Sequence, residues 1–201
     1  MMNDATVEPP FSQPQYWLLW VMSNVTSWLV WALLNFGLLA IAASLDTTNV
    51  LGLIIPIAFF LLVGALLGVT QWWVLRRQVP ITTRWILFTA VGFAVGALFD
   101  LVFAGLGVGI LQWLLLRNVL NKSGWWPVIT AVAWPVGYMA GSVLGSVVGQ
   151  ATNSIAVAAI VMWGVSGAII GAITGAVLLW LLRENRTLLD GLHAETKLAK
   201  P

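Results

Sequence analysis

The sequence predicts an all-α fold: a polytopic transmembrane helical bundle of about six helices, laid out as three tandem hairpin repeats. Three observations carry this. Of the 201 residues, 60% are hydrophobic and 8% charged, and mean hydropathy is +0.95, whereas soluble domains carry about 25% charged residues. The apolar residues fall in runs of bilayer-crossing length. Every Lys and Arg falls on one side of those runs, the loop bias that sets orientation.

The stretch 1–15 holds Asp4, Glu8 and three prolines but no Lys or Arg, the wrong charge for the start of a secretory signal peptide. It is expected to be a disordered cytoplasmic arm. The transmembrane domain is expected over 16–183, as hairpins at about 16–76, 82–120 and 125–183. Its segments run near Tyr16–Ser44, Val50–Arg76, Thr82–Leu101, Phe103–Leu120, Trp125–Gln150 and Ile155–Arg183. A spanning helix needs about 20 residues at 1.5 Å each. The first, second, fifth and sixth segments meet this. The middle pair is short, with a turn at Asp100–Gly105, and either crosses a thinned bilayer or is re-entrant. The tail, 184–201, is too short for a domain of its own.

Arg76, Arg77 and Arg84 separate segments two and three, Arg117 and Lys122 separate four and five, and Arg183, Arg186, Lys197 and Lys200 follow six. The opposite loops hold Asp46, Asp100 and the neutral stretch Ala151–Ser154. Both termini are therefore expected in the cytoplasm. A re-entrant middle hairpin gives the same pattern.

Gly64-x-x-x-Gly68-x-x-Gln71-Trp72-x-x-Leu75-Arg76 returns 41 residues later as Gly105-x-x-x-Gly109-x-x-Gln112-Trp113-x-x-Leu116-Arg117. The sixth segment keeps Gly171, Gly175 and Arg183 but has Leu178-Leu179 in place of Gln-Trp. Among the odd segments, Trp17, Trp85 and Trp126 are expected to superpose, with Gly92 and Gly96 matching Ala133 and Gly137. The repeats are parallel, unlike the inverted repeats common in secondary transporters. The element G-x-x-x-G-x-x-Q-W-x-x-L-R, followed by Gly124-Trp125-Trp126, resembles a group of uncharacterised multi-pass membrane proteins of cyanobacteria and related bacteria. The resemblance runs from about Gly64 to Arg183. It implies a bacterial inner (plasma) or thylakoid membrane and a repeat architecture, and no mechanism. The first hairpin departs from it, with Tyr16-Trp17 at its entry.

Small residues at four-residue spacing mark packing faces: Ser23/Ser27, Gly64/Gly68, Gly92/Gly96, Gly105/Gly109, Gly137/Gly141/Gly145/Gly149 and Gly167/Gly171/Gly175. The fifth-segment stripe could instead line a pore or an oligomer seam. Gln71 and Gln112 lie just inside the cytoplasmic edge, five residues before their arginines. They either hydrogen-bond between helices, locking successive hairpins in register, or converge on a ligand. Asn24 and Asn35 are open to the same two readings. Asp100 is a turn residue at the far interface, or a proton or cation site if the hairpin is re-entrant. Gln71, Gln112, Asp100, Asn24 and Asn35 are the candidate ligand-binding set.

Nine tryptophans, Trp17, Trp20, Trp72, Trp73, Trp85, Trp113, Trp125, Trp126 and Trp180, are expected as an interfacial belt. Trp28, Trp31, Trp134 and Trp163 lie deeper, packing the core or lining a cavity for an apolar or pigment-like ligand. The sequence has no cysteine, and its one histidine, His193, is in the tail. No predicted segment holds a base for Gly141-Ser142 or Gly145-Ser146, and there is no H-E-x-x-H, no intramembrane aspartate pair and no P-loop. No catalytic residue, metal ligand or cofactor is expected. A formal charge of +2 gives no reason to expect nucleic acid. The expected partners are the lipid bilayer and another membrane protein, or a second copy. The expected role is a non-enzymatic scaffold, assembly factor or accessory subunit; the alternative is a transporter or channel for a small solute or lipophilic ligand.

Overall fold

A computed structural model describes residues 12–44 and 51–186 of the chain. The described residues form six helices and no strand: α1 Gln13–Ser44, α2 Leu51–Leu75, α3 Arg84–Phe99, α4 Leu101–Leu116, α5 Trp125–Thr152 and α6 Ile155–Glu184. Most of the expected arm, the loop acid Asp46 and most of the tail, with His193, lie outside the described residues. The arm is shorter than expected, because 13–15 are helical. The backbone N–H of Ser12 donates to Gln15 Oε1 at 3.1 Å, one half of a capping box that starts α1 early.

Each helix packs against its neighbours in sequence, and α6 closes onto α1, so the six form a ring. Glycines set how closely the helices approach. A Cβ on Gly64 would lie 2.7 Å from the Phe93 Cβ and 2.8 Å from the Ala90 Cα, and one on Gly68 would lie 2.8 Å from the Ile86 Cα. Gly105 and Gly109 meet Trp134 and Thr130 of α5 in the same way. Gly167, Gly171 and Gly175 meet Val25, Val21 and Trp20 of α1. Within hairpins, Gly92 and Gly96 press on α4, while Gly137, Gly141, Gly145 and Gly149 press on α6.

Turn chemistry fixes the α5–α6 corner. Asn153 takes a left-handed conformation, φ 50° and ψ 38°, and its N–H caps the Gly149 carbonyl, a role open to Asn and Gly. Ser154 then caps α6 by accepting from the Val157 N–H. At the other end of the ring, the links after α2 and α4 each tuck an aliphatic residue inward: Val79 and Leu120 are buried, and their N–H groups reach back to the Leu75 and Leu116 carbonyls.

Four helices are long and apolar enough to cross a membrane, over Gln13–Gly37, Ile54–Leu75, Trp125–Thr152 and Ile155–Glu184, which points to a membrane protein. Helices α3 and α4 have 16 residues each, roughly 24 Å against a hydrocarbon core of roughly 30 Å. The middle hairpin is short because Asp100 ends α3 at extended backbone, φ −173°.

Candidate functional site

The interior of the ring is built in layers, and each helix contributes one residue to each layer at four-residue steps. The layer toward the arginine-rich end is apolar: Trp20, Leu75, Trp85, Leu116, Trp126 and Leu178 are buried together. Four residues along each helix lie Asn24, Gln71, Thr89, Gln112, Thr130 and Thr174, all at most 5% exposed. Four residues further lie Trp28, Leu67, Phe93, Val108, Trp134 and Ile170, again apolar and buried. One polar side chain from every helix is thus enclosed between two apolar layers.

Gln112 is the hub of the polar layer. Its Nε2 donates to Gln71 Oε1 and to Thr89 Oγ1, both at 2.9 Å, and its Oε1 accepts from the Trp126 indole N–H at 2.9 Å. One side chain therefore ties together α2, α3, α4 and α5, with both amide hydrogens used. Gln71 continues the chain, its Nε2 donating to Asn24 Oδ1 at 3.4 Å. Asn24 in turn donates to the Trp20 carbonyl one turn back. On the far side of α1, the Trp20 indole donates to Thr174 Oγ1 of α6 at 3.0 Å. The threonines pass their own protons to carbonyls four residues earlier, Thr89 to Trp85 and Thr174 to Ile170. Low surrounding polarity strengthens each of these bonds and raises the cost of leaving any member unpaired.

The expected ligand-binding set divides. Asn24, Gln71 and Gln112 come together in this layer. Asn35 lies eleven residues beyond Asn24 on α1, half-buried and outside the layer. Asp100 is exposed at the α3–α4 turn, at the opposite end from the glutamines. Thr89, Thr130 and Thr174 were not singled out in the sequence, although the spacing Trp85-x-x-x-Thr89-x-x-x-Phe93 returns as Trp126-x-x-x-Thr130-x-x-x-Trp134 and as Trp20-x-x-x-Asn24-x-x-x-Trp28.

That spacing corrects the register of the first hairpin. Trp20, not Trp17, stands with Trp85 and Trp126: these three are at most 1% exposed, while Trp17 is half-buried. The interfacial belt loses the same three, since their rings point into the bundle. Trp20 and Trp126 meet edge to face, 6.0 Å between centroids. The remaining belt residues lie at the rim. Arg76 stacks over Trp72, Arg77 over Trp73 and Arg117 over Trp113, at 4.4, 4.3 and 5.5 Å from the ring centroids, as the i to i+4 spacing of Trp-x-x-x-Arg dictates.

The deep tryptophans pack against one another. Trp28, Phe93 and Trp134, equivalent positions of α1, α3 and α5, meet pairwise at 5.1 to 6.5 Å. Trp163 stacks on Trp28 at 5.2 Å and 6°. The sequence also passed over Asn185, which is 1% exposed. It accepts from the Asn121 N–H at 2.7 Å and donates to the Asn121 and Leu181 carbonyls, fastening the end of α6 to the α4–α5 link. Beside it, Lys122 pairs with Glu184 at 2.7 Å.

No protein-family model matches this chain, and neither the curated proteins nor the solved structures yield a relative.

Proposed function

We propose that the chain is a multi-pass integral membrane protein, made of three tandem copies of one helical hairpin, that acts as a rigid non-enzymatic scaffold or accessory subunit. The 41-residue recurrence in the sequence and the equivalent placing of Trp20, Trp85 and Trp126 support the repeat. The confinement of Lys and Arg to one end supports cytoplasmic termini, in a bacterial plasma or thylakoid membrane. The bilayer and a second membrane polypeptide, another copy included, are the partners this reading names.

One observation carries the scaffold reading: the polar groups at the centre of the ring bond to one another. Transport along the axis would need Gln71, Gln112 and Asn24 to exchange their mutual bonds for bonds to a solute, with an apolar layer shut on either side. The network instead joins neighbouring helices side by side at one level of the ring, a fixed shape for others to assemble on. Native mass spectrometry of the protein extracted in mild detergent tests this. A defined homo-oligomer or a stoichiometric complex with another polypeptide is expected. A monomer at every protein-to-detergent ratio, together with solute flux in proteoliposomes, would overturn the reading in favour of a transporter or channel.

A further inference from the structure

The ring is level at its arginine end and stepped at the other. Thirteen residues along the chain from the apolar layer of Trp20, Trp85 and Leu116 stand Leu33 on α1, Leu98 on α3 and Phe103 on α4. Equal counts along packed helices place the three at one height, and each is more than half exposed. From that height α1 continues eleven residues to Ser44, and α5, whose residue at this height is Met139, continues thirteen to Thr152. Helix α3 stops one residue later, at Phe99. The α3–α4 turn therefore lies roughly 15–18 Å short of the ends of α1 and α5 by helix rise.

A flat bilayer cannot match both lengths. Helices α5 and α6, of 28 and 30 residues, are roughly 42–45 Å long, so their corner, with Gln150, Thr152 and Asn153 exposed, clears a hydrocarbon core of roughly 30 Å. In the middle hairpin the charged residues Arg84 and Asp100 are only sixteen positions apart, roughly 24 Å. With Arg84 at one surface of a flat core, Asp100, which is exposed, would sit roughly 6 Å inside hydrocarbon, a costly place for an acid. Its side chain is too short to reach out as Lys and Arg do. The hairpin cannot slide outward, because the bonds of Gln112 to Gln71, Thr89 and Trp126 hold α3 and α4 in register with α2 and α5. Thinning of the surrounding bilayer is the response left to such a short segment. We propose that the α3–α4 hairpin is a lipid-deforming surface: it draws the headgroups of the leaflet away from the arginines down to Asp100 and favours lipids with short or disordered chains beside it. The hairpin acts in this way only if the chain spans a bilayer, as proposed above; the scaffold role is not needed.

The chain has no cysteine, so single-cysteine variants of the full chain take one nitroxide label each. Leu33→Cys, Leu98→Cys and Phe103→Cys, reconstituted in dioleoylphosphatidylcholine vesicles, report depth through collisions with oxygen, which concentrates in hydrocarbon, and with a water-soluble nickel chelate. The labels at Leu98 and Phe103 should lie about 6 Å nearer the far aqueous surface than the label at Leu33, the size of the mismatch. The difference should shrink toward zero in dimyristoleoyl lipid and grow in dierucoyl lipid. Equal depth at the three positions, as a turn buried in an undeformed bilayer would give, would overturn the proposal. So would a difference that ignores chain length, which a fixed aqueous crevice would give, or loss of collisions with both reagents at Leu98 and Phe103, which a protein partner would cause. Leu98 and Phe103 report independently, so either one decides the matter if the other substitution prevents folding. Free access of the nickel chelate to all three labels would instead remove the membrane reading itself, an outcome distinct from equal depth within hydrocarbon.

Discussion

Replacing Gln112 by leucine tests whether the polar layer holds the ring together. Leucine nearly matches the glutamine in shape and removes three hydrogen bonds of 2.9 Å, to Gln71, Thr89 and Trp126. A hydrogen bond within a membrane protein contributes about 0.6 kcal/mol on average and about 1.7 at most. Three give about 2 kcal/mol. The change also strands the Trp126 N–H and the Gln71 carbonyl between apolar layers, which raises the expected loss to about 2–4 kcal/mol. Gln71→Leu breaks the shared bond and the longer one to Asn24, so its loss should be about 1–2 kcal/mol. Because both variants remove the same Gln112–Gln71 bond, the double variant should cost less than the sum by roughly 0.5–1.5 kcal/mol. Reversible unfolding in mixed detergent–SDS micelles, followed by tryptophan fluorescence, measures all four corners of the cycle. A loss below about 0.5 kcal/mol for Gln112→Leu, or strict additivity of the pair, would refute the claim that these amides join the helices.

Trp126→Phe and Trp85→Phe remove equal rings from equivalent, fully buried places, but only Trp126 has its N–H paired, while that of Trp85 has no partner; the Trp126 variant should be the less stable by about 1 kcal/mol in the same titration. Gly105→Val would drive a side chain into Trp134, whereas Gly37→Val meets open space; the first should lower stability by about 3 kcal/mol or prevent folding, and the second should leave the melting temperature near wild type. Asn185→Ala should cost about 2 kcal/mol by releasing its three bonds to Asn121 and Leu181, while Glu184→Ala, which breaks the exposed pair with Lys122, should change stability by under about 0.5 kcal/mol.

Helix number and boundaries were legible because apolar run length and turn residues are local signals: Arg76, Asp100, Lys122 and Asn153 all lie between helices. The meeting of Gln71 with Gln112 was legible because the Gln-Trp-x-x-Leu-Arg element repeats with its spacing intact. The inward face of α1 was not. Trp17 and Trp20 are three residues apart in a helix that is apolar around most of its girth, so hydrophobicity cannot choose between them; both rings border Gly175 of α6, and only Trp20 is fully buried. Polarity would have served better, since Asn24 falls four residues after Trp20 just as Thr89 and Thr130 follow Trp85 and Trp126.

The places where the pattern breaks say more about the molecule than those where it holds. The structure shifts the sixth segment by one turn from the register its glycines suggest: Leu178 stands with Leu75 and Leu116, and Thr174 stands where Gln71 and Gln112 stand, so α6 offers the Trp20 indole a hydroxyl in place of an amide. Across the closing α6–α1 seam this bond is joined by one from the Trp17 indole to the Ala172 carbonyl at 3.1 Å and by the Arg183–Gln13 contact at the rim. Trp31 stands where Gly96 and Gly137 stand, and it packs on Phe59 and Phe60 of α2. Both departures flank α1, which is held to α6 through Trp17 and Trp20 and to α2 through Ser27–Thr70 and Asn24–Gln71. A Thr174→Gln variant would give α6 the amide of α2 and α4, to which the Trp20 N–H would donate as the Trp126 N–H donates to Gln112. It should protect the α1 backbone amides against hydrogen exchange relative to wild type. Unchanged or faster exchange in α1 would show that the bonds already present and the glycine packing hold the seam without an amide.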